Sequence, residues 1–159
     1  MMSRDGSRDF DWEIGTWTTH VRVLRGAFTP EASWLEFEGT SVVHPFCDGA
    51  ANLVELDVAN ASGRIRGVSL RLYNPEAGQW SLNFANLGDG VLTSPTFGEF
   101  TDDRGEFFGV DTLRGRAILV RFVILKIDDD SARFEQSFSA DSGATWELTW
   151  VATDTRTIG

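Results

Sequence analysis

Four charged residues in strand-like segments carry chemistry that an active site could use: Arg71, Arg121, Glu135 and Glu147. An arginine can hold a ligand carboxylate through two parallel hydrogen bonds. A glutamate whose pKa is raised by burial can transfer a proton. If these residues faced a cavity, Arg121 would anchor a small organic acid, and Glu135 would be the acid or base of a cofactor-independent lyase or isomerase. If they faced solvent, they would form ion pairs on an outer wall, which is the commoner arrangement.

The histidines and the cysteine give little support for a metal site. His20 and His44 are the only histidines, and they lie on different predicted strands without Cys or carboxylate at ligand spacing. We therefore expect no metal. A histidine can be the axial ligand of heme, so heme binding through His44 is a third hypothesis. Cys47, in "PFCDG", lacks a local partner for nucleophilic chemistry, and we expect a half-buried thiol in a reducing compartment.

No motif in the sequence indicates a cofactor. A Gly-x-Ser-x-Gly elbow, a Walker loop and a dinucleotide fingerprint are all missing, and the glycine-rich segments lie between strands instead of opening helices. We expect no cofactor. The ligand-binding and catalytic hypotheses therefore depend on which side chains the fold turns inward.

Composition restricts the partners. The 159 residues carry 24 acidic and 14 basic side chains, a formal net charge of −10, which would repel nucleic acid and anionic membranes. The length predicts a single domain over residues 1–159, with residues 1–8 flexible. No apolar run approaches the ~20 residues of a membrane helix, and the N-terminus lacks a hydrophobic signal region. We expect a cytoplasmic protein.

The elements that would position these residues are β-strands. Short alternating runs rich in Val, Phe, Trp and Thr are separated by Gly, Pro, Asn and Asp, and helical periodicity is almost absent. The alternation predicts strands at 16–25, 33–44, 51–59, 64–73, 79–86, 91–94, 97–101, 106–112, 116–127, 131–139 and 145–153. A single helical turn is expected around 8–14. About ten strands at hairpin spacing predict a sandwich or a closed up-and-down antiparallel barrel.

Three predicted hairpins give the barrel one apolar face, because register decides which side chains are buried. A turn at Asp141–Gly143 pairs Phe134 with Trp150 and Gln136 with Leu148. A turn at 128–130 pairs Phe122 with Gln136. A turn at 74–78 pairs Leu70 with Leu82 and leaves Arg71 on the opposite, polar face.

The inward aromatic side chains either fill a core or line a cavity. A barrel of about ten strands tends to be wider than its own side chains can fill. Gln136 would be the one polar group among the aromatic rings, and a buried amide needs hydrogen-bond partners. The predicted ligand-binding residues are Trp80, Phe84, Phe122, Gln136 and Trp150.

Sequence motifs spread from Asp9 to Arg156 strengthen the barrel prediction. The Gly-x-Trp triplet in "DFDWEIGTWTT" resembles that of the calycins, which include the lipocalins and the fatty-acid-binding proteins. Together with "SLRLYNPEAGQW", "GEFTDDRGEFFG" and "RFEQSFSADSGATWELTW", it is similar to a bacterial family of calycin-like proteins. The resemblance implies an eight- to ten-stranded barrel with an internal cavity and no established activity. It also implies that Trp17 lies across one barrel end and stacks against Arg156.

The sequence therefore favours a calycin-like barrel that binds a small hydrophobic or amphipathic molecule. One consequence of the predicted register concerns the outer wall of the strand at 117–127. Its outward side chains would include Leu119, Val123, Leu125 and Ile127. Because so much exposed apolar surface usually marks an interface, we predict a homodimer through this strand.

Overall fold

The chain forms a single antiparallel β-sheet. The computed structural model describes residues 5–157. The strands in this range are β1 (Gly15–Arg25), β2 (Ser33–Phe46), β3 (Ala51–Asn60), β4 (Gly63–Asn74), β5 (Gln79–Asn86), β6 (Val91–Leu92), β7 (Thr96–Thr101), β8 (Arg104–Leu113), β9 (Arg116–Asp128), β10 (Ser131–Ser139) and β11 (Glu147–Arg156). Two 3-10 turns lie at Asp11–Glu13 and Cys47–Gly49. Within the described range, no helix is long and apolar enough to cross a membrane.

The sheet closes on itself. Its strands follow the order β4-β3-β2-β1-β11-β10-β9-β8-β7-β5, and pairing between β4 and β5 completes the ring. The two-residue strand β6 lies beside the end of β5. Sequential neighbours pair almost throughout, and β1 pairs with β11. The predicted up-and-down antiparallel barrel of about ten strands, with a short N-terminal turn, is confirmed.

One end of the barrel is closed around Trp17. Its ring is fully buried, its indole nitrogen donates a 2.8 Å hydrogen bond to the Glu13 carbonyl, and the Arg156 guanidinium lies 4.3 Å from its ring centroid. Arg156 also donates to the carbonyl oxygens of Trp12 and Ile14. Gly15 has φ +129°, and a Cβ there would stand 2.9 Å from Arg156 Nη1. Glycine is therefore needed where the arginine crosses the first strand.

The N-terminal segment packs inside the same end. Phe10 is buried in edge-to-face contact with Trp80 and Phe100, at centroid distances of 4.8 and 5.1 Å. The Trp80 indole donates to the Gly6 carbonyl at 2.9 Å, and the Gly6 amide donates to the Tyr73 hydroxyl at 3.0 Å. Of the segment predicted to be flexible, residues 1–4 lie outside the described range, whereas Gly6 is held by both of these bonds.

The predicted register is confirmed in one hairpin. Strands β9 and β10 pair Phe122 with Gln136 and Ile124 with Phe134. Strand β10 alternates apolar Ala132, Phe134 and Phe138 with polar residues, so a slip by one residue would turn these apolar side chains to solvent, whereas β9 is apolar on both faces. This hairpin therefore has one register that buries its apolar face.

The register of the β4–β5 hairpin differs from the prediction by one residue. Leu82 pairs with Arg71 instead of Leu70, so Arg71 is buried and Leu72 is 43% exposed. The Gly78 amide closes the turn on the Asn74 carbonyl at 2.9 Å, and Asn74 pairs with Gln79. The prediction was wrong because leucine occupies every second position in this part of β4, and the apolar side of the strand was therefore assigned to the interior.

The β10–β11 hairpin also differs from the prediction. Phe134 pairs with Ala152, and Trp150 pairs with Gln136, because the register shifts between Gln136 and Ser137. The turn is longer than the predicted three residues. The Asp141 carboxylate holds it by accepting hydrogen bonds from the Thr145 amide and the Ser139 hydroxyl, both at 2.8 Å. Trp150 still faces inward, because the bulge restores the alternation.

The outer face of β9 is less exposed than the sequence predicted. Val123 is only 5% exposed within one chain, Leu119 and Leu125 are half-buried, and Ile127 is 59% exposed. Larger exposed apolar side chains lie on the neighbouring strands β7 and β8. The homodimer through residues 117–127 stays a prediction.

Candidate ligand-binding site

A cavity of about 330 Å³ lies inside the barrel. This is at the lower end of the ~300–1,000 Å³ typical of small-molecule sites. Ten strands enclose more space than their own side chains fill. The two largest buried rings, Trp17 and Trp80, lie at the closed end and therefore do not fill this space. The cavity has three levels along the barrel axis: a polar floor, an apolar middle and a polar mouth.

The middle level is apolar apart from one amide. It is lined by Val54, Leu56, Leu82, Phe84, Val120, Phe122, Phe134, Gln136, Phe138, Trp150 and Ala152. The Gln136 amide nitrogen donates a long hydrogen bond of 3.4 Å to the Thr149 hydroxyl. The mouth adds Thr93, Ser94, Thr96 and Asp111. Four of the five residues that the sequence assigned to ligand binding, namely Phe84, Phe122, Gln136 and Trp150, thus line the cavity together.

Trp80 does not line the cavity. It packs against Phe10 and Tyr73 and is almost fully buried at the closed end. The N-terminal segment enters the barrel and packs over the Trp80 ring, and this separates the ring from the cavity. Sequence reasoning predicted a helical turn in that segment and could not show where the turn would lie.

Arg121 and Glu135 lie on the outer wall. The Arg121 guanidinium stacks over the Trp146 ring at 4.5 Å from its centroid. Glu135 pairs with Arg133 at 3.3 Å. Neither residue is part of the cavity lining. The two residues named for the lyase or isomerase hypothesis therefore have no access to a ligand inside the barrel.

His44 and Cys47 also lie away from the cavity. The His44 imidazole is 3.7 Å from the Glu55 carboxylate on the outer face of β2 and β3. Cys47, expected to be half-buried, is exposed in a 3-10 turn at the closed end. In residues 5–157, no group of three or more His, Cys, Asp or Glu side chains is placed to hold a metal ion.

The floor of the cavity is built around a buried arginine. Arg71 is 4% exposed and forms an ion pair with Glu13, with Nη1 contacting Oε2 and Nη2 lying 3.3 Å from Oε1. Nη1 also donates to Asn52 Oδ1 at 2.9 Å, and Nε to the Ser69 hydroxyl at 3.3 Å. The guanidinium lies over the Phe10 ring at 4.7 Å. Breaking such a buried pair is costly, so Arg71 is committed to Glu13 and is not free for a ligand carboxylate.

Asp154 is the second buried carboxyl group of the floor, and it forms no ion pair with an arginine in residues 5–157. It is 5% exposed and pairs across the sheet with Thr19, whose hydroxyl hydrogen-bonds to the carboxyl group. Ser41 lies 2.7 Å from the same Thr19 hydroxyl, so the three side chains form a chain of hydrogen bonds across β2, β1 and β11. Asp154 Oδ1 has no hydrogen-bond partner within residues 5–157. Desolvation, reinforced by the negative charge of Glu13, raises the pKa of Asp154 to about 7 despite the opposing Thr19 bond and Arg71 charge.

Glu13 and Asp154 were not predicted from the sequence, and the predicted register placed Arg71 on the face opposite to the apolar lining. A signal for Asp154 was present, because Trp150, Ala152 and Asp154 alternate with the outward residues of β11. Once Trp150 is taken as inward, period-two alternation takes Asp154 inward as well. No comparable signal marks Glu13, because it belongs to a 3-10 turn whose orientation depends on the whole barrel.

Comparison with known proteins gives structural likeness only. No protein-family model matches the chain, and no curated protein matches its sequence. Among solved structures, Rv2717c from M. tuberculosis aligns over 99% of this chain and 100% of its own, with a TM-score of 0.64 and 14% identity. The S-type phycobiliprotein lyase CPES from Guillardia theta aligns over 98% and 94%, with a TM-score of 0.61 and 12% identity. EF1p2_mFAP2b bound to DFHBI aligns over 96% and 99%, with a TM-score of 0.51 and 10% identity.

The fold is a calycin-like β-barrel. Nearly the whole chain takes part in each alignment, so the likeness extends to the complete ring of strands. At these levels of identity the likeness carries the fold and nothing about the reaction or the ligand.

Proposed function

We propose that this protein binds a small, mainly apolar molecule with one polar end inside the barrel. The observation that carries the proposal is the cavity of about 330 Å³, which has an apolar middle and a polar floor. A ligand body would lie against the aromatic side chains, and its polar end would meet the floor. Sites of this kind combine mostly apolar walls with a few placed polar groups.

The layered polarity favours binding over simple core filling. A barrel interior that served stability alone would bury apolar side chains and leave few polar atoms without partners. Here the floor holds the charged groups Glu13, Arg71 and Asp154, and one carboxylate oxygen is unpaired within the described chain. Burying such groups costs free energy, and a ligand that contacts them can recover part of it.

Two of the similar folds are compatible with a small-molecule function for this barrel. EF1p2_mFAP2b is bound to DFHBI, and CPES is a phycobiliprotein lyase. A calycin-like barrel of this size is therefore compatible with an organic ligand. The shared feature is the barrel, since identity to either protein is 12% or less.

Filling the cavity tests the proposal. Ala152 lines the cavity and is buried, so Ala152→Leu places three additional carbons in the binding space. We expect the wild-type protein to bind the uncharged fluorescent probe N-phenyl-1-naphthylamine or the uncharged probe 2-methylnaphthalene, with quenching of Trp150 emission. The variant is expected to bind at least tenfold more weakly, because the apolar body loses its space.

Ala117→Leu is the matched control, because Ala117 is exposed on β9 and the substitution adds the same atoms outside the cavity. It should bind the probes as the wild type does. Equal binding by all three proteins would place the probes on the outer surface. If the wild type bound neither probe, the cavity would not be a binding site for small apolar molecules and the proposal would fail.

A further inference from the structure

The unpaired carboxylate oxygen of the floor points to the chemistry of the ligand. Asp154 Oδ1 is buried, lines the cavity through its side chain and has no donor among residues 5–157. The groups that interact with Asp154 are largely engaged with one another. The Thr19 hydroxyl is shared with Ser41 and with the Asp154 carboxyl, and the Arg71 guanidinium is shared among Glu13, Asn52 and Ser69.

The charges of the floor disfavour a carboxylate ligand. Glu13 and Arg71 neutralise each other within a buried ion pair. Asp154 adds a negative charge whenever it is ionised, so the floor is neutral or negative and never positive. An anionic head group would meet repulsion and would find no free cation there. A head group that donates a hydrogen bond would instead satisfy Oδ1 and stabilise the ionised carboxylate.

We infer that the barrel selects ligands whose deep end is a hydrogen-bond donor without negative charge, an N–H or an O–H group, and that this donor hydrogen-bonds to Oδ1 of Asp154. This inference rests on the proposed binding function and adds the class of head group. An uncharged amide or lactam N–H and a protonated amine share the required donor. A long-chain carboxylic acid does not have it once ionised. The apolar middle level accepts the body of the molecule in each case.

The groups around Asp154 support this selection. Glu13 reaches it from the N-terminal turn, Arg71 from β4 and Thr19 from β1, while Ala132 is its uncharged neighbour on β10. The only cation among these groups is already paired with Glu13. Since burial raises the pKa of Asp154 to about 7, a donor ligand should bind more tightly as pH rises and the carboxylate ionises.

A series of probes with one apolar body tests the inference by calorimetry at pH 8. The compounds are 2-naphthamide, 2-naphthylmethylamine, 2-naphthoate and 2-methylnaphthalene. We expect the amide, the amine or both to bind about tenfold more tightly than methylnaphthalene, and naphthoate to bind more weakly than methylnaphthalene. The amide and amine arms distinguish an uncharged donor from a cation. Naphthoate binding as tightly as the better of the two donors would overturn the inference.

Variants assign the effect to Asp154. Asp154→Leu, which keeps a similar shape but has no hydrogen-bond acceptor, should remove the preference for the donor probes while leaving the affinity for methylnaphthalene within about twofold. Asp57→Leu is the matched control, because Asp57 lies on the outer face of β3 and pairs with Arg64. It should retain the full preference. A donor preference that survives Asp154→Leu would contradict the assignment.

The pH dependence of the wild-type protein gives a test that needs no variant. The affinity for 2-naphthamide should rise about fivefold from pH 6 to pH 8.5, because the gain on ionisation of a group that titrates near pH 7 adds to a constant affinity for the apolar body. The affinity for methylnaphthalene should change little. A flat profile for the amide would overturn the inference. Binding of methylnaphthalene without any head-group preference would leave the proposed function standing, whereas failure of all four probes would remove both.

Discussion

Replacing Asp154 with asparagine measures what the buried carboxylate costs the folded protein. Burial raises the pKa of Asp154 from an ordinary 3.8 to about 7. Between these two values the folded protein binds more protons than the unfolded chain. The contribution of Asp154 to stability is therefore most favourable at low pH and is lost as the pH rises through the folded-state pKa.

The magnitude follows from the two pKa values. One pKa unit corresponds to ~1.4 kcal/mol. For a group that titrates at 3.8 in the unfolded chain and at about 7 in the folded protein, the free energy of unfolding falls by about 3 kcal/mol between pH 5 and pH 8. Asparagine cannot ionise, so this loss disappears in Asp154→Asn. The variant should gain about 3 kcal/mol relative to the wild type over that interval, on top of any constant difference from its added amide.

Urea unfolding of the ligand-free proteins, followed by tryptophan fluorescence at pH 5, 6, 7 and 8, measures this difference. Other titrating groups are common to both proteins and cancel when the two curves are subtracted. Asp57→Asn is the control. The hydrogen bond from Arg64 lowers the pKa of Asp57 from its ordinary 3.8, so the removal of this carboxylate should give a flat difference from pH 5 to pH 8.

Two results would refute the reasoning. A flat difference for Asp154→Asn would mean that the carboxylate does not titrate between pH 5 and pH 8 in the folded protein. A difference that shrinks as the pH rises would mean that the ionised carboxylate is stabilised by the floor. In either case Asp154 Oδ1 would not need a donor from a ligand, and the head-group inference would lose its basis.

Two further predictions concern the barrel end and the outer wall. Trp17→Ala should lower the free energy of unfolding by ~3–5 kcal/mol, because it removes a fully buried ring together with its stacking on Arg156, whereas Trp34→Ala, which removes a half-buried ring stacked on Arg22, should cost ~1 kcal/mol or less in the same urea titration. If the predicted homodimer forms through β9, light scattering should give a dimer for the wild type and a monomer for Leu125→Glu; a wild-type monomer at micromolar concentration would exclude that interface.

The sequence predicts the barrel well where one face of each strand is consistently apolar. In β10 the alternation leaves a single register that buries Phe134 and pairs it with Ile124 of β9, and the structure has that register. The closed end was also predicted, because the resemblance to the calycins implies that the tryptophan of the Gly-x-Trp triplet stacks on an arginine after the last strand. The structure brings Gly15, Trp17 and Arg156 into contact. In both cases local pattern and tertiary packing favour the same arrangement.

The polar floor was not predictable by the same reasoning, because pattern analysis assigns the apolar face to the interior. In β4 this rule turns Leu70 and Leu72 inward and Arg71 outward, which is the reverse of the structure. The rule fails because the barrel is not sealed by strands alone. The N-terminal turn carries Glu13 into the interior, where it neutralises Arg71.

The entry of the N-terminal turn into the barrel also explains why a cavity remains above the floor. Phe10 and Trp80 occupy the closed end, and the ion pair of Glu13 with Arg71 lies between those rings and the open space. If apolar side chains of the middle level packed directly onto this layer, Asp154 and Arg71 would have apolar atoms in place of the open space beside them. Burying polar groups in this way costs free energy. The polar floor therefore both limits the packed core and leaves the aromatic middle level free to contact a ligand. A sequence whose β4 buried Leu70 and Leu72 instead would close this space with apolar side chains, and the barrel would lose its site.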